Sequence, residues 1–301
     1  MPELPEVETT VRGLRQVLVG KTIQDAWTDW PKMVRRPSFP LFKKKIIGKK
    51  VTTVGRRGKN ILITLSDGEV LLAHMKMTGH FLYGPYKKQK NTWTPDVTEG
   101  PLLDPYNRFI HLVFYLSDGK HLAFSDMRKF GKVLFLEKDK KEAHKGLKDL
   151  GPEPLEKKFT VQTFKECLLR RPSGKIKTVL LDQTIIAGIG NIYSDEMLWE
   201  TALHPETRVK ELRDKNFQTL YKSMKKILTK SIKIQGDSKS DYRNIYGQKG
   251  GFQNFHKAYG RKNLPCLKKG CDGTIRRIVV GSRSAHFCDK HQKLKAKNPA
   301  N

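Results

Sequence analysis

The sequence predicts an α+β multidomain chain: a helix leading into an N-terminal β-sandwich, then a helical domain, then a small C-terminal β-hairpin. Three observations predict it. Between residues 41 and 137, short alternating apolar runs are broken by Asp-Gly turns. From Phe159 onward, apolar residues recur at helical spacing. Three of the four cysteines stand together between Cys266 and Cys288. A length of 301 residues suits two domains with a small third unit.

The first element is a helix. Pro5 suits a first helical position, and Val7, Val11, Leu14 and Leu18 line one face. Two hairpins follow, around Asp67-Gly68 and Asp118-Gly119, and several such strands in one region imply a sandwich or barrel. The stretch from Gly84 to Asn107, rich in Pro, Lys, Asn and Asp, reads as a long surface loop. This first domain covers 1–137. Residues 138–158 are charged, carry two prolines and read as a linker. Helical patterns fill 159–234, and 236–262 is Gly-rich and polar, as in a mobile loop. The helical domain is thus 159–262, the cysteine unit 263–292, and 293–301 a basic tail. Cys167 falls in a helical pattern and suits a small core position.

Charge narrows the function. Against 59 Lys+Arg stand 30 Asp+Glu, a net charge of +29. Such a balance favours a polyanionic partner, nucleic acid first and an anionic membrane surface second. No apolar run of about 18 residues is present, so no membrane span is expected. The acidic start MPELPEVETT lacks the apolar core of a secretory signal. Clustered rather than dispersed cysteines point to a reducing, intracellular compartment and to a metal.

Cys266, Cys271, Cys288 and His291 form C-x4-C-x16-C-x2-H. Mixed thiolate and imidazole ligands in two short pairs suit one tetrahedral, closed, structural Zn2+. Between the pairs, GTIRRIVVGSRSAHF reads as a hairpin turning at Gly281-Ser282, and His286 competes with His291 as fourth ligand. At the other end, removal of Met1 would expose Pro2 as a secondary amine. An α-amino group has a pKa of about 7.7–8.0, so a useful fraction is nucleophilic at neutral pH. Glu3, and also Glu6, could serve as acid or base beside it. The bland alternative is a helix N-terminus favoured by negative charge.

The start P-E-L-P-E-V-E-T, the segment G-I-G-N-I-Y-S-D-E at 188–196 and the C-terminal cysteine cluster, taken together, resemble the formamidopyrimidine-DNA glycosylase (Fpg/Nei) family over nearly the whole chain. The resemblance implies an N-terminal β-sandwich, a helix-two-turn-helix domain and a zinc finger. It also implies a monomeric, DNA-associated, bifunctional glycosylase and abasic-site lyase acting on double-stranded DNA with oxidised bases. By the same resemblance Pro2 is the nucleophile at sugar C1′, Glu3 the assisting acid, and Lys59 of G-R-R-G-K a strand-borne proton donor and phosphate ligand. Met77, Arg128 and Phe130 match residues that fill the gap left by a flipped base. Lys177, Asn191 and Tyr259 match phosphate-contacting positions, Arg283 matches the finger arginine, and 236–255 matches a loop that closes over the flipped base. Read without the family, Lys59 is a solvated charge beside a turn, and Met77 and Phe130 are core residues.

The chain departs from the family at several points. The first cysteine pair is spaced by four residues instead of two, and His291 stands where Cys is usual. Phe109 stands where a phosphate-binding His is usual, with His111 two residues on. The 84–107 loop is about 15 residues longer than usual. P-E-L-P-E and the Met77/Arg128/Phe130 set lean toward oxidised purines. The alternatives are an endonuclease VIII-like enzyme for oxidised pyrimidines, a non-catalytic zinc-finger DNA-binding protein, and a basic RNA-associated protein.

Overall fold

The structure is a computed structural model and describes residues 1–138 and 144–294. The chain divides into two compact units, 1–149 with 231–253, and 150–230 with 254–301. The break falls between Asp149 and Leu150, inside the expected linker. Within that stretch a short helix α3 (Lys145–Lys148) buries Leu147, so its described part is folded. Residues 139–143 of the linker and 295–301 of the basic tail lie outside the described residues.

The first unit opens with helix α1 (Leu4–Leu18), which starts one residue before the expected position, with Glu3 as N-cap. Strands β1 (Ile23–Thr28), β2 (Val51–Arg57), β3 (Asn60–Leu65), β4 (Val70–His74) and β5 (His80–Gly84) follow, with helix α2 (Phe39–Ile46) between the first two. Strands β8 (Ile110–Leu116), β9 (His121–Ser125) and β10 (Lys132–Leu136) complete two four-stranded antiparallel sheets, ordered β1-β8-β9-β5 and β10-β4-β3-β2. The inner faces bring Phe81, Leu112, Phe114 and Phe124 from one sheet against Val54, Ile61, Ile63, Leu71 and Val133 from the other. The α1 stripe of Val7, Val11, Leu14 and Leu18 joins the same core. Helical and strand periodicities thus converge on one apolar interior.

Between β5 and β8 the structure corrects the expected surface loop. Residues 84–108 form a hairpin, β6 (Tyr86–Gln89) with β7 (Thr92–Pro95), and two 3-10 turns at Pro101–Leu103 and Pro105–Arg108. Tyr86 and Trp93 supply the reason. They pack on Leu82, Ile110, Val113 and Ala123, a second apolar cluster. Two aromatics suffice to bind a polar excursion to the sheet.

Residues 236–253, expected as part of a mobile loop of the helical domain, are folded into the first unit. Tyr242, Arg243 and Ile245 are buried there. Two aromatic or aliphatic anchors and one paired arginine hold a segment whose composition reads as loop.

In the second unit, helices α4 (Val161–Leu169), α5 (Ile176–Leu181), α6 (Asn191–Glu200) and most of α7 (Asp214–Lys233), up to Lys230, precede hairpin β11 (Ile275–Val280) and β12 (Arg283–Cys288). Cys167 is buried in α4, and α5 packs on α6 across the tight 182–190 connection. The hairpin turns at Gly281-Ser282, where Gly281 takes a positive φ.

Candidate active site and metal centre

The first unit carries Pro2, Glu3, Glu6 and Lys59. Met1 is exposed, while Pro2 and both glutamates are buried. The Glu6 carboxylate spans two backbone donors: Oε2 accepts from Glu3 N at 2.8 Å and Oε1 from Asp237 N at 2.8 Å. Gly236 makes the second contact available. Its φ is +83°, and a Cβ there would stand 2.9 Å from Glu6 Oε1. Tyr242 Oη donates to Glu6 O at 3.0 Å, so the 236–242 segment is fastened to the first turn of α1.

Lys59 sits in the two-residue Gly58-Lys59 turn joining β2 to β3, rather than on a strand. It is only 7% exposed, which excludes the solvated reading. Arg56 ties this turn to α1: Nε donates to Glu8 Oε2 at 3.0 Å and Nη1 to Gly58 O at 3.0 Å. Burial raises the Glu8 carboxyl, but hydrogen bonds and charge from Arg12 and Arg56 outweigh it and hold the group below its usual range.

A cationic face surrounds His74, which the sequence reading missed. Burial, then Lys76, Lys132 and Lys59, push its pKa down to about 3, so the imidazole is neutral at physiological pH. Burial, then Lys76 and Arg35, lower Lys132 as well. Several cations held this close favour a polyanion at this surface. His74 lay hidden inside an apolar run, where a lone histidine reads as core.

Met77 is partly exposed, Arg128 is exposed and Phe130 is 48% exposed, so Phe130 is not a core aromatic. The Arg128 guanidinium lies 4.6 Å from the Phe130 ring centroid. The two turns bearing these three residues are joined through Thr78 and Asp126. Neither Phe109 nor His111 takes a comparable place: Phe109 O accepts from Asp126 N, and His111 Nδ1 pairs with Asp29 at 2.9 Å.

In the second unit, Lys177 departs from the phosphate contact that the resemblance implies. Its ammonium is fully buried and donates to Asn191 O, Ser194 Oγ and Asp195 Oδ1 at 3.0, 2.8 and 2.6 Å. Asp195 Oδ2 accepts from His286 N at 3.0 Å and pairs with His286 Nδ1 at 2.9 Å, which joins α6 to the hairpin. Lys177 therefore serves the packing of α5, α6 and β12. Asn191 is the first residue of α6, after the Gly190 N-cap, and its Nδ2 reaches Ser284 Oγ at 3.4 Å. Arg283 is exposed at the hairpin tip.

Tyr259 is placed by Glu196, another residue that the sequence reading left without a role. Glu196 accepts from the backbone N–H of Lys257, Ala258 and Tyr259 at 2.8, 2.9 and 2.8 Å. Burial raises its pKa despite these bonds. Its place within N-I-Y-S-D-E was the available signal.

Cys266, Cys271, Cys288 and His291 converge, with one ligand atom of each within 4.8 Å of the others. Cys271 Sγ and Cys288 Sγ are 3.6 Å apart, and His291 Nδ1 lies 3.5 Å from Cys266 Sγ and 3.7 Å from Cys271 Sγ. A tetrahedron with metal–sulfur distances of about 2.3 Å has edges of about 3.8 Å, close to these separations, so the donor set fits Zn2+. His291 Nε2 donates to Trp199 O at 3.2 Å, which leaves Nδ1 for the metal. His286 is committed to Asp195 and stands outside the cluster.

The chain therefore falls in the class of two-unit proteins that pair a helix-led β-sandwich with a helical unit and a four-ligand hairpin. Residues 1–133 match the model of the formamidopyrimidine-DNA glycosylase N-terminal domain, and 150–243 that of the H2TH domain of the same enzymes. Formamidopyrimidine-DNA glycosylases of Pelotomaculum thermopropionicum and Bacillus subtilis are 39% and 38% identical, each match covering 98% of this chain and 100% of the relative. The Lactococcus lactis Fpg in complex with DNA containing an abasic site superposes with a TM-score of 0.83 at 33% identity, over 97% of this chain and 100% of that one. A MutM structure in complex with DNA containing carbocyclic 8-oxo-G gives 0.82, also at 33% identity and with the same coverage. The chain belongs to the formamidopyrimidine-DNA glycosylase family.

Proposed function

We propose that the chain is a DNA glycosylase and abasic-site lyase that removes oxidised purines, 8-oxoguanine and formamidopyrimidines, from double-stranded DNA. The observation that carries this reading is the Pro2-Glu3-Glu6 terminus, buried and braced in a chain similar to formamidopyrimidine-DNA glycosylases over its full length. The solved complexes with abasic and 8-oxo-G DNA support the substrate class.

With Met1 removed, the Pro2 amine attacks C1′. The glycosidic electrons leave with the base, which takes up a proton, and Glu3 protonates the opening sugar. The resulting iminium draws electrons from the C2′–H bond. Loss of that proton expels the 3′ phosphate, and a second elimination expels the 5′ phosphate. Glu6 holds the backbone of Glu3 and Asp237 in place, and Lys59 gives a proton and a charge to phosphate. Met77 and Phe130 wedge into the stack while Arg128 bonds the orphaned base. Asn191, Tyr259 and Arg283 contact phosphates, and the zinc stiffens the hairpin that presents Arg283. The +29 charge adds a salt-sensitive attraction to the duplex. The protein works as a monomer inside the cell, with the DNA.

Borohydride trapping tests the reading. Met1-processed protein and a duplex carrying 8-oxoguanine opposite cytosine give a covalent band that is lost when Met1 is retained, which leaves the Pro2 nitrogen a non-nucleophilic amide. A band only on a pre-made abasic site moves the substrate to oxidised pyrimidines. No band on either duplex leaves a DNA-binding protein without the reaction.

A further inference from the structure

Arg243 is among the largest fully buried side chains, and the reaction above does not use it. Its charge is met by the 84–108 excursion. Nη2 donates to Asp104 Oδ1 at 3.1 Å, and Nε lies 3.0 Å from Asp104 Oδ2. One hydrogen bond and one close charge contact thus fall on the two oxygens of a single carboxylate. Nη1 donates to Ser240 O and Tyr242 O at 3.2 and 2.9 Å, so the same guanidinium closes its own turn. The Tyr106 ring centroid is 4.8 Å away, and Asp104 Oδ1 accepts from Tyr106 N at 3.0 Å. Burial works against the ionised Asp104, but hydrogen bonds from Arg243 and Tyr106 N keep its pKa below the usual value.

Other contacts hold the same segment to the excursion and to β5, from which the excursion departs. Tyr83 N donates to Ile245 O at 2.7 Å. Gly247, at φ +82°, lies so close to the excursion that a Cβ would stand 2.5 Å from Pro101 O. The excursion is itself anchored, with Trp93 packed in the outer apolar cluster. At its other end the 236–248 segment meets Glu6 through Asp237 N and Tyr242 Oη. Contacts thus run from Asp104 through Arg243 to Glu6, and from the second oxygen of Glu6 to Glu3 N.

We propose that Arg243 and Asp104 are positioning residues, and that the 84–108 excursion braces segment 237–248 against the Glu6 end of α1 before a damaged base arrives. The inference rests on the proposed function and on the family resemblance by which 236–255 closes over the flipped base. A segment ordered in advance loses less freedom on closure. The pair therefore speeds base removal and leaves reaction at an abasic site, which presents no base, almost untouched.

The test uses the full-length, zinc-loaded, Met1-processed protein. Asp104→Asn keeps size and removes charge, and Arg243→Lys keeps charge and removes the guanidinium that reaches Asp104, Ser240 O and Tyr242 O together. Hydrogen exchange is followed in 237–248, together with single-turnover release of 8-oxoguanine and borohydride trapping on a pre-made abasic duplex. Both variants are expected to raise exchange in 237–248 about tenfold, with the sandwich strands unchanged. Base release slows about tenfold while trapping stays within about twofold of the parent. Unchanged exchange in both variants overturns the brace. Equal losses of base release and trapping overturn the positioning role. If the parent reacts with neither duplex, the proposed function has failed, and exchange alone decides the brace.

Discussion

The hydroxyl of Thr78 is hydrogen-bonded to the carboxylate of Asp126 and accepts from Arg128 N at 3.1 Å, which joins the turn that carries Met77 to the turn that carries Arg128 and Phe130. Asp126 also accepts from Arg128 N at 3.2 Å and Gly131 N at 2.6 Å. One fully buried carboxylate therefore sets the spacing of the three residues proposed to enter the duplex. Asp126→Ala strands these donors, at ~1–3 kcal/mol for each left unsatisfied. The expected outcome is a fall in melting temperature of several degrees and about tenfold weaker binding to a lesion duplex. Thr78→Val removes the donor to Asp126 and the acceptor for Arg128 N, and costs about 1 kcal/mol or more. Thermal melting and fluorescence anisotropy check both. Unaltered affinity in a folded Asp126→Ala protein would separate these turns from DNA binding.

Glu6 accepts from two backbone N–H groups at once, Glu3 and Asp237, one on each oxygen. An amide can accept on one side only and presents N–H to the other donor. Glu6→Gln should therefore loosen either Glu3, beside the proposed nucleophile, or the segment that by resemblance covers the base. Base release is expected to slow by about 100-fold. Single-turnover kinetics on an 8-oxoguanine duplex measure this, and Glu6→Asp, too short to reach both donors, should also be slow.

What the sequence made legible follows a physical rule. Patterns local in the chain were readable: the α1 stripe of Val7, Val11, Leu14 and Leu18, the Asp-Gly hairpins, the ligand spacing of Cys266 to His291. Arrangements decided by partners far along the chain were not. The 84–108 excursion reads as loop because Tyr86 and Trp93 stand alone among polar residues, and only the sheet beneath gives them something to cover. The unit to which 236–253 belongs is decided by Glu6 and Asp104, more than a hundred residues away, and no periodicity carries that information. Lys177 shows the same limit at one atom. Its ammonium could face phosphate or Asp195, and the choice depends on how α5 meets α6.

His74 gives a pH dependence with a definite sign. Its folded pKa is about 3, below the ordinary value near 6.5, so the unfolded chain binds the proton more readily. The group costs nothing above about pH 6.5, and stability is lost as pH falls from there toward about 3, at up to ~1.4 kcal/mol per pH unit. His74→Gln should flatten that limb. Added salt screens Lys76, Lys132 and Lys59 but not burial, the largest cause, and so flattens it only in part. Urea denaturation of both proteins at pH 7.5, 6.0 and 5.0 measures the difference. Parallel curves would remove His74 as the source.

His291 separates metal binding from anchorage of the finger. Nδ1 faces the three sulfurs, while Nε2 donates to Trp199 O and the ring meets the Trp199 side chain edge-on at 5.4 Å. Zinc accepts thiolate as readily as imidazole, so His291→Cys should retain one Zn2+ per chain. It loses the bond to α6, however, and with it one of the constraints that aim Arg283. His291→Ala should lose both, with zinc released at chelator concentrations at least tenfold lower. The two variants then divide duplex binding into its parts. If the metal alone positions Arg283, His291→Cys binds a lesion duplex as tightly as the parent. If the imidazole bridge to Trp199 shares the work, as the geometry requires, affinity falls about threefold at full zinc occupancy. Zinc content by mass spectrometry and binding by anisotropy, measured on the same preparations, decide between them.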